Sequence, residues 1–121
     1  MKKTVIVGAT TNTGRYAYLA ATMLREHGHP IVPIGIKKGE VMGETILDIR
    51  QKPPIKGVDT ITLYIGPQHQ EEWYDYLIGL KPKRIIFNPG TENPAFEKKA
   101  NEAGIETEEA CTLVLLRTHQ F

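Results

Sequence analysis

The fold of this chain is decided near its start, by the sequence Thr4-Val5-Ile6-Val7-Gly8-Ala9-Thr10-Thr11-Asn12-Thr13-Gly14-Arg15. Its first four residues are a β-branched run, which is typical of a strand buried on both faces in a parallel sheet. A turn of small and polar residues follows. Apolar residues then recur at helical spacing, which predicts a helix over residues 14–26, capped by Asn12 or Thr13. The stretch therefore indicates a strand, a tight turn and a helix.

The rest of the chain repeats this alternation. Further strands are predicted at residues 30–34, 60–65 and 84–87, with a short edge strand at 104–107. Helices are predicted at 68–80, 94–103 and 112–116, and residues 35–43 form a basic, glycine-punctuated loop. We therefore expect one Rossmann-like α/β domain over residues 1–121, in which a mostly parallel sheet of five or six strands lies between two helical layers.

The composition excludes several classes of protein. Fifteen Lys and Arg against fourteen Asp and Glu leave a net charge of +1, so no broad field would attract nucleic acid or an anionic membrane. Cys111 is the only cysteine, which excludes an internal disulfide and a multi-cysteine zinc site and indicates a reducing, cytoplasmic compartment. The apolar run after Met1-Lys2-Lys3 stops at Gly8, too early for a signal peptide or a membrane span.

Small and polar residues follow each strand, where ligands bind in open parallel sheets. Residues 8–15 are the strongest candidate, because a tight turn that opens a helix directs unpaired N–H groups and the positive end of the helix dipole at one point. A phosphate would fit there, and Arg15 could pair with it. The spacing of Gly8 and Gly14 matches neither the standard dinucleotide fingerprint nor the P-loop, so a purely structural turn remains the alternative.

In an NAD-binding domain, an acidic residue at the end of the second strand is expected to bind a ribose hydroxyl. This chain has no acidic residue there. The sequence at that place is Gly35-Ile36-Lys37-Lys38. Two lysines favour an additional phosphate on the ribose, which indicates either the 3′-phosphorylated adenosine of coenzyme A or NADP. The alternative interpretation is a basic surface loop.

With these residues, the chain resembles the coenzyme A-binding domain family, which includes small stand-alone proteins and the amino-terminal domain of succinyl-CoA synthetase α subunits. The resemblance covers nearly the whole length. It rests on Gly8-Ala9-Thr10 with its polar loop, on residues 28–34 leading to Gly43, on Val58-Asp59-Thr60, on Phe87-Asn88-Pro89-Gly90, and on Ala103-Gly104-Ile105 followed by Cys111. Stand-alone members usually carry Pro-Val-Asn-Pro where this chain has Pro33-Ile34-Gly35-Ile36.

The resemblance implies that coenzyme A lies across the carboxyl ends of the strands. It assigns the pyrophosphate to Gly8, Ala9, Thr10, Thr11, Asn12, Thr13, Gly14 and Arg15. It assigns the adenosine end to Ile34, Gly35, Lys37 and Lys38, and the remaining wall to Tyr64, Ile65, Gly66, Pro67, Asn88, Pro89 and Gly90.

No complete catalytic set is visible in the sequence. No tyrosine has a lysine four residues later, which removes the main support for a short-chain reductase. His69 follows a strand at which ligands would bind, but beside Glu71 and Glu72 it also suits a polar first helical turn. Cys111 has no neighbouring basic residue and is interpreted as a structural thiol.

The sequence thus favours non-catalytic binding of coenzyme A or an acyl derivative, with no nucleic acid or membrane partner. It leaves open a homodimer. It also leaves open two other functions: an NADP-dependent or other nucleotide-cofactor oxidoreductase-like protein that needs a partner chain, and a structural relative that has lost its ligand.

Overall fold

The structure, a computed structural model, describes residues 1–121. Six strands form its central sheet: β1 (Thr4–Val7), β2 (Ile31–Gly35), β5 (Leu47–Asp48), β6 (Thr60–Leu63), β7 (Arg84–Phe87) and β8 (Glu106–Glu109). Their order is β5-β2-β1-β6-β7-β8, and every neighbouring pair is parallel. Two further strands, β3 (Glu40–Val41) and β4 (Glu44–Thr45), form a separate antiparallel pair.

Helices cover both faces of this sheet, which confirms the predicted three-layer Rossmann-like fold. They are α1 (Tyr16–Glu26), α2 (Tyr74–Gly79), α3 (Pro94–Glu102) and α4 (Thr112–Arg117). Leu24 of α1 and Leu116 of α4 pack on one face with Ile6. Leu77 of α2 and Phe96 of α3 pack on the other face.

The first strand lies at the centre because it has two apolar faces. Val5 and Val7 enter the core beneath α2 and α3, whereas Ile6 enters the core beneath α1 and α4. Strand residues alternate between the two faces of a sheet, so a strand covered on both faces needs side chains that can be buried at successive positions, and all four residues of β1 are buried. Val5 is paired with Val32 on β2 and with Ile61 on β6.

The order of the strands reverses beside β1. From β1 the chain proceeds outward to β2 and β5, and it then returns to the other side of β1 to form β6, β7 and β8. The loops after β1 and β6 therefore leave the sheet in opposite directions and open a crevice at their carboxyl ends.

The main departure from the sequence prediction is the helix expected at residues 68–80. The structure has two 3₁₀ turns, Pro67–His69 and Glu71–Trp73, before α2 begins at Tyr74. The break falls at Gln70, whose fully buried side chain bonds to loops outside the segment. Residues 35–43, predicted as a loop, contain β3, and the edge strand β8 begins two residues later than expected.

Two carboxyl groups face each other where α3 packs on β8. Glu97 of α3 is partly buried, and one of its carboxylate oxygens, Oε2, has no hydrogen-bond partner. Burial and the neighbouring Glu109 raise the pKa of Glu97 to about 7. The folded protein therefore retains a proton here that the unfolded chain releases at its ordinary pKa of 4.5.

Replacing Glu97 with glutamine should raise the thermal midpoint of unfolding by a few degrees at about pH 8 and leave it unchanged near pH 4. A group whose pKa is raised on folding stabilises the fold at any pH below its pKa in the unfolded chain. This stability is lost as the pH rises through its pKa in the folded protein. Glutamine has no proton to lose. Thermal unfolding followed by circular dichroism across this range measures the effect. Glu102→Gln, an exposed position on the same helix, is the matched control, and an equal shift there would contradict the prediction.

Candidate functional site

A cavity of about 740 Å³ occupies the crevice at the carboxyl ends of the strands. Many residues that the sequence singles out line it: Gly8, Ala9, Thr10, Gly14, Arg15, Gly35, Lys37, Tyr64, Ile65, Gly66, Pro89 and Gly90. They come from the loops after β1, β2, β6 and β7. Residues far apart in the chain thus meet because parallel strands end at the same edge of the sheet.

Other predicted residues do not line the cavity: Thr11, Asn12, Thr13, Ile34, Lys38, Pro67 and Asn88. Thr11 and Thr13 are exposed. Ile34 is fully buried in the core. Their assignment to a ligand remains a prediction.

Several cavity residues were not among the predicted site residues: Val7, Tyr16, Ala17, Ile36, Ile49, His69, Glu72, Trp73 and Thr91. Tyr16 and Ile36 are 70% and 64% exposed, which is unusual for such large apolar side chains. His69, for which the sequence allows either a ligand contact or a polar first helical turn, lines the cavity. Trp73 and Glu72 reach it because the 3₁₀ turns replace the regular helix.

Gly8 allows the first loop to contact the β6 loop directly. Its φ of +95° is strained for any residue with a side chain. A Cβ at this position would lie 2.9 Å from Ile65 Cγ2 and 3.1 Å from the Tyr64 carbonyl oxygen. The N–H groups of Gly8 and Ala9 both donate to the Ile34 carbonyl, which joins the same loop to β2. Glycine is therefore required here by the fold itself.

The turn into α1 leaves several backbone N–H groups without a partner. Those of Thr10, Tyr16 and Ala17 have no acceptor in the protein, and all three residues line the cavity. The predicted cap by Asn12 or Thr13 is wrong. Arg15 is the N-cap residue, and its guanidinium has no acceptor atom with which to cap the helix. The Asn12 side chain accepts from Gly14 N at 3.0 Å, before the helix begins. The positive end of the helix is thus free to bind an anion.

Two cations stand near this turn. The side chains of Arg15 and Lys37 line the cavity, and neither forms a salt bridge. By contrast, Asp48 lies among cations: the Arg50 guanidinium, and to a smaller extent Lys38, hold its carboxyl pKa below the usual value. We call the part of the cavity formed by residues 8–17 and 35–37 the basic end.

The opposite part of the cavity, which we call the neutral end, is formed by residues 64–66, 73 and 89–91. Burial raises the pKa of Tyr64 to about 12, so its phenol stays neutral at physiological pH. The buried Tyr64 hydroxyl has no hydrogen-bond partner, and the nearby hydroxyls of Thr62 and Thr112 bond to each other at 2.8 Å. The titratable side chains beside it are those of exposed His69 and Glu72, which line the cavity, and that of Glu92, whose Oε1 accepts from Gly90 N at 2.9 Å.

The buried Asn88 holds the sheet together beneath the neutral end. Its amide nitrogen donates to Thr62 Oγ1 at 2.7 Å and to the Leu63 carbonyl at 2.8 Å, which ties β7 to β6. Its amide oxygen accepts from Thr112 N at 2.9 Å, which fixes the start of α4. Every polar atom of the side chain is therefore used within the protein, and it is only 2% exposed.

The parallel sheet, its two helical layers and the crevice at the reversal of strand order define the class of Rossmann-like α/β domains. A sequence model of a CoA binding domain family matches residues 2–117. This chain therefore belongs to the CoA-binding domain family.

Several solved structures share the fold of this chain. An uncharacterized protein known from its crystal structure is 57% identical, covers 100% of this chain and 98% of that chain, and superposes with a TM-score of 0.97. A hypothetical protein from Pyrococcus horikoshii OT3 is 27% identical over 98% of this chain and 82% of its own, with a TM-score of 0.83. A Thermus thermophilus protein, 22% identical over 99% and 90% of the two chains, shares the fold with a TM-score of 0.83. No curated protein matches the sequence.

Replacing Asn88 with aspartate should lower the free energy of unfolding by about 2–4 kcal/mol, because two donated bonds are lost and a carboxylate is placed against the Leu63 carbonyl. Urea unfolding, followed by fluorescence, measures this change in the free energy of unfolding. Asn101→Asp, at an exposed position, introduces the same charge and should cost far less. Equal losses for the two variants would show that Asn88 does not tie the strands.

Proposed function

We propose that this chain binds coenzyme A, free or acylated, and that it does so without catalysing a reaction on it. One observation carries the proposal: the cavity at the switch point has unpaired N–H groups and two unpaired cations at one end, whereas the other end has no Lys or Arg and is lined mostly by uncharged residues. A cofactor with several phosphates at one end and an uncharged arm at the other matches this distribution of charge.

The basic end supports binding of phosphates in two ways. Free N–H groups at the start of α1 would donate to the pyrophosphate, and no acidic residue in the first turn opposes it. Lys37, after β2, would pair with a phosphate on the ribose. Such charge-assisted bonds are stronger than bonds between neutral groups.

The length of the cavity supports an extended ligand. It crosses the ends of β2, β1, β6 and β7, and because neighbouring strands lie about 5 Å apart, this path is about 15 Å long. With the adenosine at β2 and the pyrophosphate at β1, the pantetheine arm would run past β6 and β7. The neutral end would then contact the amide-containing arm.

The chemistry of the cavity walls favours binding over catalysis. The Tyr64 phenol is neutral and buried, and the Cys111 thiol does not line the cavity. No group of three or more His, Cys, Asp and Glu side chains is placed to hold a metal ion. His69 and Glu72 lie at the surface, and no serine or cysteine lines the cavity. No helix is long and apolar enough to cross a membrane.

Isothermal titration calorimetry with coenzyme A tests the proposal directly, and native mass spectrometry of freshly purified protein tests it independently through a retained ligand. Binding should be detected with coenzyme A and should be competed by acetyl-CoA. No heat and no thermal shift at millimolar coenzyme A would rule the proposal out. Binding of NADPH that coenzyme A fails to displace would favour an NADP-dependent function instead.

Replacing Lys37 with alanine should weaken coenzyme A binding about 10- to 100-fold, because a charge-assisted bond to the ribose phosphate is lost. Binding of 3′-dephospho-CoA, which lacks that phosphate, should not change. Lys98→Ala is the matched control, since Lys98 is exposed, does not line the cavity and is not among the predicted site residues. If Lys37→Ala weakens both ligands equally, the ribose phosphate does not lie at Lys37.

A further inference from the structure

Gln70 is fully buried, which is uncommon for a glutamine. It lies between the two 3₁₀ turns that replace the expected helix. Gln70 does not line the cavity. A buried amide is tolerated only when its polar atoms are hydrogen-bonded, so the partners of this side chain indicate its role.

The amide nitrogen of Gln70 joins two facing loops. It donates to the Ile65 carbonyl, after β6, at 2.9 Å, and to the Thr91 carbonyl, after β7, at 2.8 Å. Ile65 and Thr91 both line the neutral end of the cavity. The two walls of that end are thus tied to a single nitrogen atom.

The orientation of this amide is fixed by its oxygen. Gln70 Oε1 accepts from Asn93 Nδ2 at 3.0 Å, and Asn93 Nδ2 also donates to the Tyr74 hydroxyl at 2.7 Å. Asn93 Oδ1 in turn caps α3 by accepting from Phe96 N. Turning the amide over would set its oxygen against two carbonyls, so the network admits one arrangement.

We infer that Gln70 is a positioning residue that sets the separation of the β6 and β7 loops and hence the width of the neutral end. It would thereby govern recognition of the pantetheine arm, while the nucleotide, bound at the basic end, would be unaffected. This inference rests on the proposed function, because it assigns a part of that ligand to a part of that cavity.

Two ligands separate this role from a purely structural one. Adenosine 3′,5′-bisphosphate carries the adenosine, the 3′-phosphate and one of the two 5′-phosphates of coenzyme A, but no pantetheine arm. A general loss of stability would affect both ligands alike, whereas a widened neutral end would affect only the ligand that enters it. The ratio of the two affinities therefore reports on the width of the neutral end.

The experiment measures both affinities by calorimetry in wild-type protein and in Gln70→Leu, well below the unfolding midpoint of each. Coenzyme A should bind about tenfold more weakly to Gln70→Leu, and the bisphosphate should bind within about twofold of wild type. Gln68→Leu, an exposed glutamine on the preceding turn, should change neither affinity.

Gln70→Glu provides a second variant of nearly unchanged shape. At about pH 8 its carboxylate cannot donate to the two carbonyls, whereas at about pH 5 a protonated carboxyl could donate to one of them. Its deficit in coenzyme A binding relative to wild type should therefore diminish at the lower pH. A deficit independent of pH would count against the inference.

The outcomes are distinguishable. Wild-type protein that binds neither ligand would refute the proposed function and this inference with it. Wild-type protein that binds both, together with Gln70 variants that lose both equally or lose neither, would overturn the inference alone. A selective loss of coenzyme A binding supports it.

Discussion

The close approach of the β1 and β6 loops is the constraint on which the site depends. Gly8 lies against the Tyr64 carbonyl and the Ile65 side chain, and there is no space for a Cβ. This contact brings together the two loops at which the strand order reverses. It also directs the chain into α1, so that unpaired N–H groups line the cavity. A residue with a side chain at position 8 would separate the loops and disturb the sheet as well as the site.

Both backbone groups and side chains determine the electrostatics of the site. At the basic end, backbone N–H groups supply fixed donors, and only Arg15 and Lys37 add mobile charge. At the neutral end, the polar side chains of Asn88 and Gln70 form their hydrogen bonds within the protein, where they hold strands and loops in place. A net charge of +1 is compatible with an anion site because the positive groups are concentrated locally.

Local sequence patterns predicted the elements that depend on local chemistry. The prediction agrees with the structure for the bounds of β1 and β7 and for the starts of α3 and α4. Apolar runs and capping residues, which are local signals, mark these positions in the sequence. The broken helix at Gln70 could not be predicted, because its cause is hydrogen bonds to Ile65 and to Thr91, which is 21 residues away. The two-residue β5 carries too short a pattern to be recognised. The long-range contacts of Gln70 place Trp73 and Thr91 at the cavity. Tyr16 lies there because α1 starts at Tyr16 and not, as the sequence predicts, at residue 14.

The strand at the outer edge, β8, has the sequence Glu106-Thr107-Glu108-Glu109. An edge strand presents unpaired backbone groups that can template the addition of another chain. A second copy aligned along this edge would bring glutamates against glutamates, and the repulsion would oppose the pairing. The acidic border thus protects an otherwise open sheet from growing into aggregates.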